Sequence, residues 1–178
     1  MDKKVEDRKV EDKKVEDKKI DDKKVDIGLS DQQRAKVIKM LETVLADEVA
    51  AYFAARGAHW NVTGMNFGSL HKFFEQQYEA LDEAMDSIAE RIRTLGGKAP
   101  STLSAFDKAK RLDESFSQAK DAESLLRGLL AVHEHVIRSL RKDVDLADEQ
   151  HDQGTADFLT GLMEDHEKMA WMVRAHLE

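Results

Sequence analysis

Phe67–Leu95, FGSLHKFFEQQYEALDEAMDSIAERIRTL, followed at once by Gly96-Gly97, decides the fold. Leu70, Phe73, Phe74, Tyr78, Leu81, Met85, Ile88, Ile92 and Leu95 recur at the spacing of one helical face, and the glycine pair stops the helix. An apolar stripe this long needs partner helices to cover it. Upstream, Ser30 with Gln33 three residues later is a capping-box signature. From there Val37, Leu41, Val44, Leu45, Val49, Tyr52 and Phe53 carry a helix over about 31–60, and Asn61, Thr63 and Gly64 mark the turn after it. Downstream, helices are expected over about 121–148 and 155–177, separated by the polar turn 149–154. Residues 98–120 hold the only proline and a short apolar pattern, Leu103, Phe106 and Leu112, and read as a long crossover carrying a small helix.

Four long helices with one long middle connection predict an all-α, ferritin-like four-helix bundle, in which the second and third long helices run parallel. Composition agrees: the 178 residues are 41% hydrophobic and 36% charged, enough for one core under a highly charged surface. The absence of cysteine excludes disulfide scaffolds, Cys-ligated zinc or iron-sulfur sites and thiol nucleophiles, and 6% aromatic content argues against most all-β folds. No apolar run approaches the roughly 20 residues of a membrane span, and the N-terminus lacks the hydrophobic segment of a signal peptide, so a cytoplasmic protein is expected.

The domain organisation is read as a low-complexity arm, residues 1–28, before a bundle domain, residues 29–178. The arm repeats KKVED-like units whose apolar positions fall every five residues, a period that gives neither a helical nor a strand face, so it is expected to be disordered or weakly helical. Residues 1–26 contain ten Lys/Arg and ten Asp/Glu, so the formal charge of −8 sits on the body, which should repel phosphate. Two readings of the arm stand side by side: DNA contact through its lysine pairs, and a solvated spacer whose interleaved carboxylates cancel the field.

On the second helix His71, Glu75, Asp86 and Glu90 fall within an arc of about 100°, beside the apolar stripe. Glu75 and Asp86 are about 16 Å apart along the axis, so one helix cannot gather all four ligands. A two-fold axis crossing midway between residues 80 and 81 would set Glu75 opposite Asp86, and His71 opposite Glu90, of a second copy. His59, at the end of the first helix, could reach the same site. Two histidines and three carboxylates suit one or two ferrous ions. Spacing alone leaves the ordinary alternative open, a solvated acidic face with an unremarked histidine. None of the seven histidines follows a glutamate by three positions, which disfavours an intrasubunit Glu-x-x-His centre. His133, His135, His151, His166 and His176 read as structural or surface residues.

The stretch His59-Trp60-Asn61-Val62-Thr63-Gly64-Met65-Asn66-Phe67-Gly68-Ser69-Leu70-His71, with Asp86-Ser87-Ile88-Ala89-Glu90-Arg91, resembles the Dps family, the miniferritins or DNA-binding proteins from starved cells. The resemblance covers roughly residues 29–178. It implies a homododecameric shell that oxidises Fe(II) with hydrogen peroxide at intersubunit sites, stores Fe(III) mineral and protects DNA from oxidative damage. By resemblance, His59, His71 and Glu75 match ligands of one subunit, and Asp86 with Glu90 those of its partner. Glu75 departs from the family's usual Asp. Trp60 matches an indole beside the site that could take up an oxidising equivalent, and a packed interface aromatic reads equally well there. Asp148, Asp152 and Asp157 resemble the acids of the family's three-fold iron-entry pores, while a polar turn with a helix cap explains the same residues. The rival function is a nucleoid-compacting, DNA-binding shell with little or no ferroxidase activity.

Overall fold

The computed structural model describes residues 25–113, 119 and 121–178. Among them are five helices and no strand: α1 (Asp31–Asn61), α2 (Phe67–Thr94), α3 (Leu103–Ala109), α4 (Ala122–Glu149) and α5 (Gln153–Ala175). The arm lies outside the described residues up to position 24.

The capping box forms as expected: Ser30 Oγ accepts the Gln33 N–H at 3.3 Å, and Gln33 Oε1 accepts the Ser30 N–H at 2.9 Å. Gln33 Nε2 then donates to the Gln150 carbonyl at 2.8 Å, joining the start of α1 to the end of α4. Arg34 Nη1 donates to the Leu95 carbonyl at 3.0 Å, joining the same end of α1 to the end of α2. Arg91, near the end of α2, reaches Thr155 Oγ1 and Asp152 Oδ1 at the start of α5, each at 2.9 Å. Three antiparallel neighbour pairs follow, α1/α2, α1/α4 and α2/α5, so α2 and α4 run parallel and the crossover between them spans the bundle. Phe74, Leu81, Ile88, Leu129, Leu140 and Leu159 are fully buried between the helices.

Two local features set the frame. The start of α5 falls two residues before the sequence-based boundary because Asp152 caps it, accepting the Thr155 N–H at 3.0 Å and the Thr155 hydroxyl at 2.6 Å. The crossover is pinned by Arg111. Its Nε donates to Asp47 Oδ2 of α1 at 2.6 Å, and its Nη1 and Nη2 grip both oxygens of Asp143 of α4 at 3.0 and 2.8 Å. Burial works against the guanidinium charge, but Asp143 and Asp47 more than offset it and raise the Arg111 pKa. At Gly96, a φ of +88° favours glycine at the stop after α2, and a Cβ there would also stand 2.9 Å from Val25 Cγ2.

Candidate metal centre

His59, in the last turn of α1, and His71, in the second turn of α2, face each other across the turn 62–66. His59 Nδ1 lies 2.8 Å from the His71 carbonyl oxygen, and His71 Nδ1 lies 2.9 Å from the His59 carbonyl oxygen. A carbonyl only accepts, so each Nδ1 carries a proton, and in the neutral ring each Nε2 keeps its lone pair. The rings stack at 3.7 Å between centroids and 22° between planes. This reciprocal exchange fixes the orientation of both imidazoles, as a carbonyl behind a metal-binding histidine does.

Glu75 joins this pair through Tyr78. The phenol donates to Glu75 Oε1 at 3.2 Å, and its ring meets His59 edge-on at 5.2 Å. Burial first, then the hydrogen bond and charge of Glu75, push the phenol above its usual pKa, against the Arg56 guanidinium. Arg56 lies 4.0 Å over the Tyr78 ring. Asp86 and Glu90 are on the same helix, exposed, and make no hydrogen bond or ion pair among the described residues. Within one chain, no three His, Asp or Glu among the described residues converge on a common metal position. Trp60 is 61% exposed, and its contact is with Arg56, whose guanidinium lies 5.6 Å over the indole.

The three acids assigned to an entry pore have different surroundings. Asp148 and Asp157 are exposed. Asp152 is buried, caps α5 and pairs with Arg91, so its carboxylate is committed within the subunit.

A second polar cluster, not foreseen from the sequence, lies in the middle of the bundle. Gln77 of α2, His133 of α4, His166 of α5 and Glu48 of α1 are all buried, and the two histidines are fully so. His133 Nε2 donates to Gln77 Oε1 at 3.1 Å, and its Nδ1 meets His166 Nδ1 at 3.1 Å. His166 Nε2 stands 3.0 Å from Glu48 Oε1. Burial, then the neighbouring His166, hold His133 well below the usual imidazole pKa. Both nitrogens of His133 are occupied, which leaves no lone pair there for a metal. These histidines are structural, one of the two roles expected of them. Their signal was one polar residue at a core position on each long helix, visible only once the helices are in register. Arg56 and Tyr78 were equally hidden, Tyr78 because it counts as part of the apolar stripe.

A four-helix bundle with its crossover between parallel α2 and α4, and with imidazole donors fixed at its edge, defines a ferritin-like protein. The ferritin family, described as the ferritin-like domain, matches residues 38–178. An uncharacterized low temperature-induced protein of Nostoc sp. is 46% identical over 153 residues, 85% of this chain and 86% of the relative. A DNA protection during starvation protein of Porphyromonas gingivalis is 34% identical over 149 residues, 84% of this chain and 93% of the relative. The crystal structure of a Dps protein from Vibrio cholerae O1, described as a member of a broad superfamily of ferritin-like diiron-carboxylate proteins, superposes with a TM-score of 0.80 at 33% identity, covering 85% of this chain and 95% of that one. The chain belongs to the Dps family of ferritin-like proteins.

Proposed function

We propose that the protein is a ferroxidase and iron store whose oxidation sites lie between subunits, with Fe(II) as substrate and hydrogen peroxide as oxidant. The observation that carries this is the reciprocal bonding of His59 and His71 to each other's carbonyls, which occupies both Nδ1 atoms and leaves the two Nε2 atoms uncommitted. Two copies related by a two-fold axis across α2 bring the partner subunit's Asp86 and the partner subunit's Glu90 to His59, His71 and Glu75. Mixed imidazole and carboxylate ligands hold both ferrous and ferric iron. Two ferrous ions and two protons reduce one hydrogen peroxide to two waters, so no one-electron cleavage of peroxide is needed and hydroxyl radical is avoided. Ferric product then hydrolyses and collects inside a dodecameric shell in the cytoplasm, with the exposed Asp148 and Asp157 drawing cations toward the entry pores.

Anaerobic loading with Fe(II), then peroxide, with ferric absorbance as the readout, tests the site. Oxidation at about two ferrous ions per peroxide, lost in Asp86→Ala and in Glu90→Ala while the shell still assembles, is the expected result. Variants that oxidise iron as fast as the parent refute it.

A second reading, DNA association through the arm, is favoured by the DNA protection named for the Porphyromonas gingivalis relative and by five basic pairs in residues 1–24. Deleting residues 1–26 should abolish DNA retardation at low salt and leave iron oxidation unchanged.

A further inference from the structure

Arg56 stands one turn before His59 on α1 and makes no ion pair among the described residues. Its guanidinium lies over aromatic rings instead, 4.0 Å from Tyr78, 5.6 Å from Trp60 and 5.9 Å from Tyr52. Tyr78 is the centre of this group: the edge contacts of His59 and Tyr52, at 5.2 and 6.0 Å, hold its sides while Arg56 covers its face. A ring fixed on three sides has little freedom to turn, so its hydroxyl is aimed before any metal arrives, and it is aimed at Glu75 Oε1.

Five protein ligands are few for two iron ions, so a second ion depends on carboxylates that chelate or bridge with both oxygens. Glu75 already has one oxygen in a hydrogen bond from a neutral donor. Tyr78 is three residues further along α2, on the same face, and the glutamate side chain is long enough to lie along the helix against it.

We propose that Tyr78 is a positioning residue of the iron site, engaging Glu75 Oε1 so that Glu75 ligates through one oxygen and the second iron position binds more weakly than the first. The inference rests on the ferroxidase reading above. It gives the longer acid at position 75 a physical role: the site fills in two unequal steps.

The test uses Co²⁺, titrated without oxygen into the assembled protein and followed by visible absorption and calorimetry. The parent should show two binding steps per site. Tyr78→Phe keeps the ring that Arg56 and His59 contact and removes the hydroxyl. It should tighten the second step about tenfold, the order of a hydrogen bond to a charged group, and leave the first within about twofold. Unchanged constants, or weakening of both steps together, overturn the positioning role. Arg56→Met loosens the phenol from its other face and should shift the second step in the same direction by less. If Tyr78→Phe does not assemble, an Arg56→Met isotherm identical to the parent overturns the proposal. His71→Ala separates the two layers. Cobalt uptake that survives His71→Ala unchanged defeats the iron site itself, whereas uptake lost in His71→Ala but indifferent to Tyr78→Phe defeats only the role of Tyr78.

Discussion

His133 and His166 in the middle of the bundle, and His59 and His71 at its edge, are both pairs of imidazoles in ring contact, at 5.1 and 3.7 Å between centroids. The inner pair spends its nitrogens on side chains: Gln77 takes one, the two rings share a bond, and Glu48 faces the last. The outer pair ties only Nδ1, and ties it to main-chain carbonyls, so both Nε2 atoms remain. Histidine is the same residue in both places, and its tautomer and partner decide whether it supports the core or offers a ligand. The outer pair gathers no third His, Asp or Glu around a common metal position among the described residues, whereas the inner cluster draws one buried residue from each long helix.

The contrast predicts that damage inside costs stability and damage at the edge costs chemistry. His166→Ala leaves the fully buried Glu48 uncompensated and should destabilise the fold by about 3–5 kcal/mol, read as a lower denaturant midpoint at fixed protein concentration. His71→Ala should slow peroxide-driven iron oxidation by at least about 10- to 100-fold, the range seen when only the support of a metal ligand is lost, with the midpoint close to the parent's. A His71→Ala variant as unstable as His166→Ala would collapse the distinction.

The inner pair also carries a pH signature. The folded pKa of His133 lies well below its ordinary value of 6.5, so the unfolded chain takes up a proton near pH 6.5 that the folded chain refuses. Its contribution to stability is therefore complete above about pH 6.5 and falls as the pH drops below that, with a slope of at most about 1.4 kcal/mol per pH unit for one proton. His133→Leu should flatten the dependence between pH 7 and pH 5, measured as midpoints across that range, even though it lowers stability overall. The smallest expected effect lies in the turn between α4 and α5, where His151 adopts a φ of +60°. His151→Gly should stabilise by about 1 kcal/mol or less by relieving that conformation, and a loss of stability would mean that the imidazole makes up for it.

Much of this was legible in the residues. The α2 stripe, the Ser30–Gln33 cap and the double glycine are local signals, and the helices ended within two residues of where periodicity put them. The symmetric placement of His71, Glu75, Asp86 and Glu90 about one point on α2 was legible too, because a helix turns linear spacing into direction. The carbonyl exchange between His59 and His71 was not, since it depends on the path of the turn 62–66 rather than on residue type. Nor was the inner chain, whose members Glu48, Gln77, His133 and His166 are separated by tens of residues and meet only through helix register. Asp152 had two readings from the sequence, a pore acid and a helix cap in a polar turn, and its hydrogen bonds to Thr155 show the cap.

The His59 and His71 exchange also closes a loop. Two hydrogen bonds, each from one imidazole to the other residue's carbonyl, join residues twelve apart in sequence and close the segment between them into a loop. The entropy of bringing those donors together is lost when the chain folds, and none of it remains to oppose an arriving ion. Substitutions within residues 62–66 that preserve the loop should therefore leave the spacing of the two Nε2 atoms intact, and the sequence of the turn can drift while its chemistry stays put.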